Sequence, residues 1–91
     1  MTIEYRKSHF FGIVGAPFRR CTIARKVSVF KARRHHRRKI GTDVTNHEGV
    51  WQVHHPHARG RFFARVRTVD VGEPGKPLVC SGDRSPTIRV P

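Results

Sequence analysis

Ninety-one residues at 36% apolar composition make one domain with a thin core, and are too few for two. Nineteen Lys and Arg against six Asp and Glu leave a formal net charge of +13, which opposes compaction by self-repulsion and points to a polyanionic partner such as a glycan, a wall polymer or nucleic acid. No apolar run approaches the roughly 18 residues of a membrane-spanning helix, and Met1 to Phe10 contains no apolar signal-peptide core.

From the N-terminus, Thr2–Tyr5 reads as a short edge strand and Phe10–Val14 as a fuller one, closed by Gly15-Ala16-Pro17. Thr22–Lys31 sets Val27 and Val29 against Lys26, Ser28 and Phe30, the alternation of a half-buried strand. Lys31–Lys39 holds six permanent cations in nine residues and reads as a mobile basic tip. Ile40–Val44 follows as a short strand and Asn46–Gly49 as a turn. Val50–His54 is a strand stopped by His55-Pro56-His57. Phe62–Val69 carries the clearest pattern: Phe62, Ala64, Val66 and Thr68 alternate with Arg61, Phe63, Arg65 and Arg67, giving one apolar and one cationic face. Gly72–Pro77 is a loop, Leu78–Cys80 a short strand, and Pro86–Val90 the last strand. About seven strands without helical periodicity predict a single all-β domain over residues 1–91, a two-layered sandwich or small barrel with Trp51 in its core.

Cys21 and Cys80 lie near the two ends of the chain. A bridge between them would close a loop of about 60 residues, stabilise the fold by roughly 4 kcal/mol in the chain-entropy picture, and imply an oxidising compartment. The alternative is two separate buried thiols. Two cysteines cannot build a four-Cys zinc site.

Guanidinium groups bind phosphate and sulfate bidentately, so the paired arginines of the tip, Arg33, Arg34, Arg37 and Arg38, with Lys39, are the first candidate binding residues. Arg61, Arg65 and Arg67 are the second, flanking Phe63 on the cationic strand face; there Phe63 is either an exposed ring of the kind that stacks bases or a side chain packed under a neighbouring loop. His54, His55 and His57 lack the spacing of a hydrolytic metal site, and Asp43, Asn46 and Glu48 fit a turn better than a calcium loop. No nucleophile motif, phosphate-cradling glycine loop or acid/base pair is visible, so no catalytic residue, metal or cofactor is predicted.

Several features fall in a recognisable order: Phe11-Gly12-x-Val14; Cys21; Arg25-x-Val27-x-Val29-Phe30; Gly41-Thr42-Asp43-x-Thr45-x-x-x-Gly49-x-Trp51-x-Val53; Gly60-Arg61-Phe62-Phe63-Ala64-x-Val66; and Cys80-x-x-x-Arg84-Ser85-x-x-Ile88-x-Val90. Over nearly the whole chain this order resembles the carboxypeptidase-regulatory-like, or transthyretin-like (prealbumin-like), domains of secreted actinobacterial proteins. The resemblance implies a seven-stranded Greek-key β-sandwich, secreted or cell-wall-associated, that serves as a non-catalytic binding or accessory module; the Arg/His-rich tip goes beyond the shared pattern. The alternative expectation is a small basic intracellular nucleic-acid-binding β-protein with free thiols.

Overall fold

A computed structural model describes residues 1–91. The chain is all-β and antiparallel, with ten short strands and a single 3₁₀ turn at Arg19–Cys21. The strands are β1 (Glu4–Arg6), β2 (His9–Ile13), β3 (Lys26–Ala32), β4 (Arg37–Val44), β5 (Val50–His54), β6 (Gly60–Val66), β7 (Val69–Asp70), β8 (Val79–Cys80), β9 (Asp83–Arg84) and β10 (Ile88–Val90). They form a three-stranded sheet in the order β1-β2-β5 and a five-stranded sheet in the order β10-β6-β3-β4, with β9 also on β6; β7 and β8 make a separate ribbon.

Two side-chain sets close the core between the two main sheets. Phe10, Trp51 and Val53 come from the three-stranded sheet; Val27, Val29, Phe62, Ala64 and Val66 come from the five-stranded sheet. The Phe10 and Phe62 rings meet across the gap at 4.7 Å between centroids. Burying such residues contributes about 1.5–3 kcal/mol each, which is what offsets chain entropy in so small a domain. Gly12 lies opposite Trp51 on the neighbouring strand. A Cβ there would fall 2.1 Å from the Thr2 carbonyl oxygen and 2.9 Å from the indole, so only glycine lets the ring in.

The turns follow local chemistry. Asn46 Oδ1 accepts from the Glu48 and Val50 amides at 2.9 and 3.0 Å, and Gly49 completes the turn at φ +76°. Lys7 and Ser8, at φ 51° and 67°, form the two-residue hairpin between β1 and β2. That left-handed pair suits Asn-Gly better, so the hairpin carries strain.

Several boundaries differ from expectation. The third strand begins at Lys26, because Thr22–Arg25 is held off the ladder by Thr45, whose Oγ1 accepts from the Arg25 amide at 2.8 Å and donates to the Thr22 carbonyl at 2.6 Å. The basic run is not one mobile tip. Its ladder with β3 continues out to Ala32↔Arg37, so Arg37, Arg38 and Lys39 belong to β4, and only Arg33–His36 form the loop. Pairing to a formed neighbour strand overrides the weak strand preference of a charged run. Similarly, β6 stops at Val66, and Val69–Asp70 pairs with β8 instead.

The C-terminal strand is broken in two. Asp83–Arg84 and Ile88–Val90 both pair with β6, but the segment from Arg84 to Ile88 faces the one-residue-shorter segment from Arg65 to Phe62, a bulge. Pro86 offers no amide there. The Ser85 side chain repairs the ladder: its Oγ accepts from the Ala64 amide at 2.8 Å while its own amide donates to the Ala64 carbonyl at 2.9 Å.

Cys21 and Cys80 are bonded, with Cα atoms 5.3 Å apart, and both are buried. The bridge ties the 3₁₀ turn to β8 and is consistent with an oxidising environment. No helix is long and apolar enough to cross a membrane.

Candidate polyanion-binding face

The register of the five-stranded sheet fixes what its outer face displays. One cross-strand row is Arg89–Arg61–Ala32–Arg37. The next is Phe63–Phe30–Lys39, and the third is Arg84–Arg65–Ser28–Thr42. Lys26 and Arg67 stand at the end beyond them. Cations thus lie on both sides of a central aromatic row, in strands about 4.8 Å apart. The six carboxylates point elsewhere. Asp83 and Asp43 pair with the core-facing Val66 and Val27, and Glu4, Glu48, Asp70 and Glu73 lie on other segments. The molecule holds one ion pair, between the Met1 amino group and Asp83 at 2.9 Å. None of the Lys and Arg side chains has a carboxylate partner.

Phe63 is a packed ring, not an exposed one. It is 2% exposed and Phe30 is 5% exposed, and the two rings stack at 5.3 Å with 19° between their planes. Cations cover them. The Arg84 guanidinium lies 3.8 Å from the Phe63 centroid, and Arg65, Arg37 and Lys39 lie 4.9, 5.2 and 6.0 Å from that of Phe30. The rings hold the charged groups by cation–π attraction, worth about 0.5–2 kcal/mol per contact, and leave their outer edges free to bind. Burial, and then the neighbouring charges of Arg37, Arg67 and Arg84, push the Arg65 guanidinium below the ordinary arginine value. The smaller, coulombic share of that shift comes from the three neighbouring cations.

The predicted binding residues therefore divide. Arg37 and Lys39 join Arg61, Arg65 and Arg67 on one face, whereas Arg33 and Arg34 stand apart in the loop. Arg38 pairs with Lys31 and falls on the opposite side of its strand. Lys26, Arg84 and Arg89 complete the face and were not singled out by the sequence. Parity with Ser28 and Phe30 marks Lys26 in retrospect, but Arg84 and Arg89 depend on which strand their segment joins.

The remaining constellations are occupied or scattered. His54, His55 and His57 do not converge, and no three His, Cys, Asp or Glu side chains could hold a metal ion. His54 instead packs against His9 across the β2–β5 pair, with ring centroids 4.7 Å apart and the planes tilted by 31°. Asp43 accepts from the Gln52 amide at 2.8 Å, and Asn46 serves its own turn. The chain matches no protein-family model, no curated protein and no solved structure.

Proposed function

We propose that this chain is a non-catalytic binding module that holds a polyanion on the outer face of its five-stranded sheet. One observation carries the reading: Lys26, Arg37, Lys39, Arg61, Arg65, Arg67, Arg84 and Arg89 share that face with no carboxylate among them. Concentrated like charge costs stability unless a ligand compensates it. The stacked rings under the guanidinium groups fix them in place, which lowers the entropy lost when they bind. The ligand class is a sulfated or phosphorylated glycan, a wall polymer or a nucleic-acid backbone.

The finer fold reading, a Greek-key prealbumin-like sandwich, is supported by the seven strands β1–β6 and β10 in two facing sheets and by β6 returning beside β3 after the β3–β4 hairpin. The Cys21–Cys80 bridge supports a secreted or wall-associated setting. Against base stacking by single-stranded nucleic acid stands the cover over Phe30 and Phe63. Such platforms present their rings to the ligand.

The test is retention on immobilised heparin across a salt gradient. Arg61→Gln/Arg65→Gln/Arg84→Gln elutes at clearly lower salt than the parent, while Arg6→Gln, on the other sheet, elutes close to it. Each lost contact flattens the salt dependence because fewer counterions are released. Co-elution of the triple variant with the parent would overturn the reading.

A further inference from the structure

At one end of the cationic face lies a hollow of about 370 Å³. Its lining includes Lys26, Lys39, Arg65, Arg67, Ser28 and Arg25. Arg25 stands behind this hollow, between it and a second one lined by Cys21 and Ser81. It is 3% exposed, yet it has no carboxylate partner. Its Nη1 donates to the Cys21 carbonyl at 2.7 Å, and its Nη2 donates to the carbonyls of Arg67 and Ser81 at 2.9 and 3.2 Å. Three of its five N–H donors are used; Nε and the second Nη1 hydrogen have no protein acceptor. Burial lowers its affinity for its proton. Buried cations are ordinarily paired.

We infer that this hollow is a discrete subsite for one tetrahedral oxyanion, the sulfate or phosphate ester group of a larger ligand. Arg65 and Arg67 offer bidentate forks, Lys26 and Lys39 offer point charges, and Ser28 offers a neutral donor. Arg25 supplies a fixed positive charge from behind, because its three carbonyl bonds prevent it from swinging away. Val69, in β7, and Val71, just beyond it, also line the hollow, and Arg20 donates to the Val71 carbonyl. An ester group can enter with its charged end among the cations and its carrier against these apolar residues. This deepens the polyanion reading: the broad face attracts the chain of charges, and the hollow fixes the register of one of them.

The experiment titrates methyl sulfate and methyl phosphate into the isotopically labelled protein at constant ionic strength, with chloride as the control, and follows backbone amide shifts. Saturable shifts confined to Ala24–Ser28, Lys39 and Arg65–Val71 are expected. Lys39→Gln/Arg67→Gln weakens binding at least about tenfold, the loss expected for a charge-assisted contact. Arg61→Gln/Arg89→Gln removes the same charge elsewhere on the face and changes binding less than about twofold. All four side chains are exposed, so both variants keep the fold, as their spectra will show. Tighter methyl sulfate binding identifies a sulfated carrier and tighter methyl phosphate binding a phosphorylated one; either supports the subsite. Equal weakening by the two variants, or unsaturated shifts spread over the face, overturns it. In that event undiminished heparin retention would leave the polyanion reading standing. Localised binding without heparin retention would do the reverse.

Discussion

The two sheets present opposite characters to solvent although they share one core. The outer face of the three-stranded sheet shows Glu4, Arg6, His9, His54 and Gln52 around Phe11, Ile13 and Val50, a nearly neutral mixture. The outer face of the five-stranded sheet shows eight cations and no acid. Both bury aromatic carbon, but in different ways. Arg6 lies 5.8 Å from the half-buried Phe11 ring on the first face, whereas four cations roof a stacked ring pair on the second. The second face is in effect a small outer core of its own, capped by charge instead of by another sheet. That construction holds guanidinium groups close together despite their repulsion, as the proposed polyanion binding would require.

The largest effect that separates the faces is expected from their rings. Phe63→Ala should cost about 4 kcal/mol, as for a fully buried aromatic, and should also lower the salt needed for heparin elution, because Arg84 and Arg65 lose their support. Phe11→Ala should cost about 1 kcal/mol and leave elution alone. Urea denaturation and the same column measure both; equal costs would erase the distinction.

Arg25→Leu comes next. It strands the carbonyls of Cys21, Arg67 and Ser81 and should cost about 3 kcal/mol. The effect on folding should be largest at the end of the cationic sheet, visible as faster amide exchange in Arg67–Ser81 than in β1 and β2.

Charge removal should act in the opposite sense. Arg65→Gln relieves repulsion from Arg37, Arg67 and Arg84 and should raise the melting temperature at low salt, with the gain shrinking as salt is added. Arg6→Gln, on the mixed face, should show no such salt-dependent gain. A lower melting temperature for Arg65→Gln would mean that its cation–π contact with Phe30 outweighs the repulsion.

The smallest effect concerns the acid nearest the cationic face. Asp83 lies on the other side of its strand from that face, where the Met1 amino group, by hydrogen bonding, holds its carboxyl below the ordinary 3.8; the Arg84 amide also lowers it, against a raising effect of burial. A depressed carboxyl stabilises the fold fully above its unfolded value, and that contribution disappears as pH falls through the folded one. Because the side chain is 47% exposed, the loss below about pH 4 should stay under about 1 kcal/mol. Comparing acid unfolding of Asp83→Asn with the parent measures it.

Particular residues show what could be read before the structure. The alternation of Phe62, Ala64 and Val66 with Arg61, Phe63 and Arg65 is local, and the strand and its two faces were legible from it. So were the Asn46–Gly49 turn, the burial of Trp51 and the Cys21–Cys80 pairing. The strand at Arg37–Lys39 was not, because its formation depends on a neighbour and not on its own composition. The burial of Phe63 was open as one of two alternatives, but what covers it was not legible. Its cover comes from Arg84, on a two-residue strand placed by the Ser85 repair and the bulge before Ile88. Arg25 reads as one more surface cation, and three carbonyls from distant segments put it inside. Short-range pattern thus gave the layers, and long-range pairing decided which charges share a face.

Trp51 has a use beyond filling the core. It is the only tryptophan, it is 1% exposed, and its Nε1 has no hydrogen-bond partner. An indole in such a dry, apolar setting fluoresces at short wavelength and shifts to the red when water reaches it. It belongs to the sheet opposite the cationic face. Its emission therefore reports unfolding while staying silent to a ligand on that face, a built-in optical readout that separates folding from binding without a label.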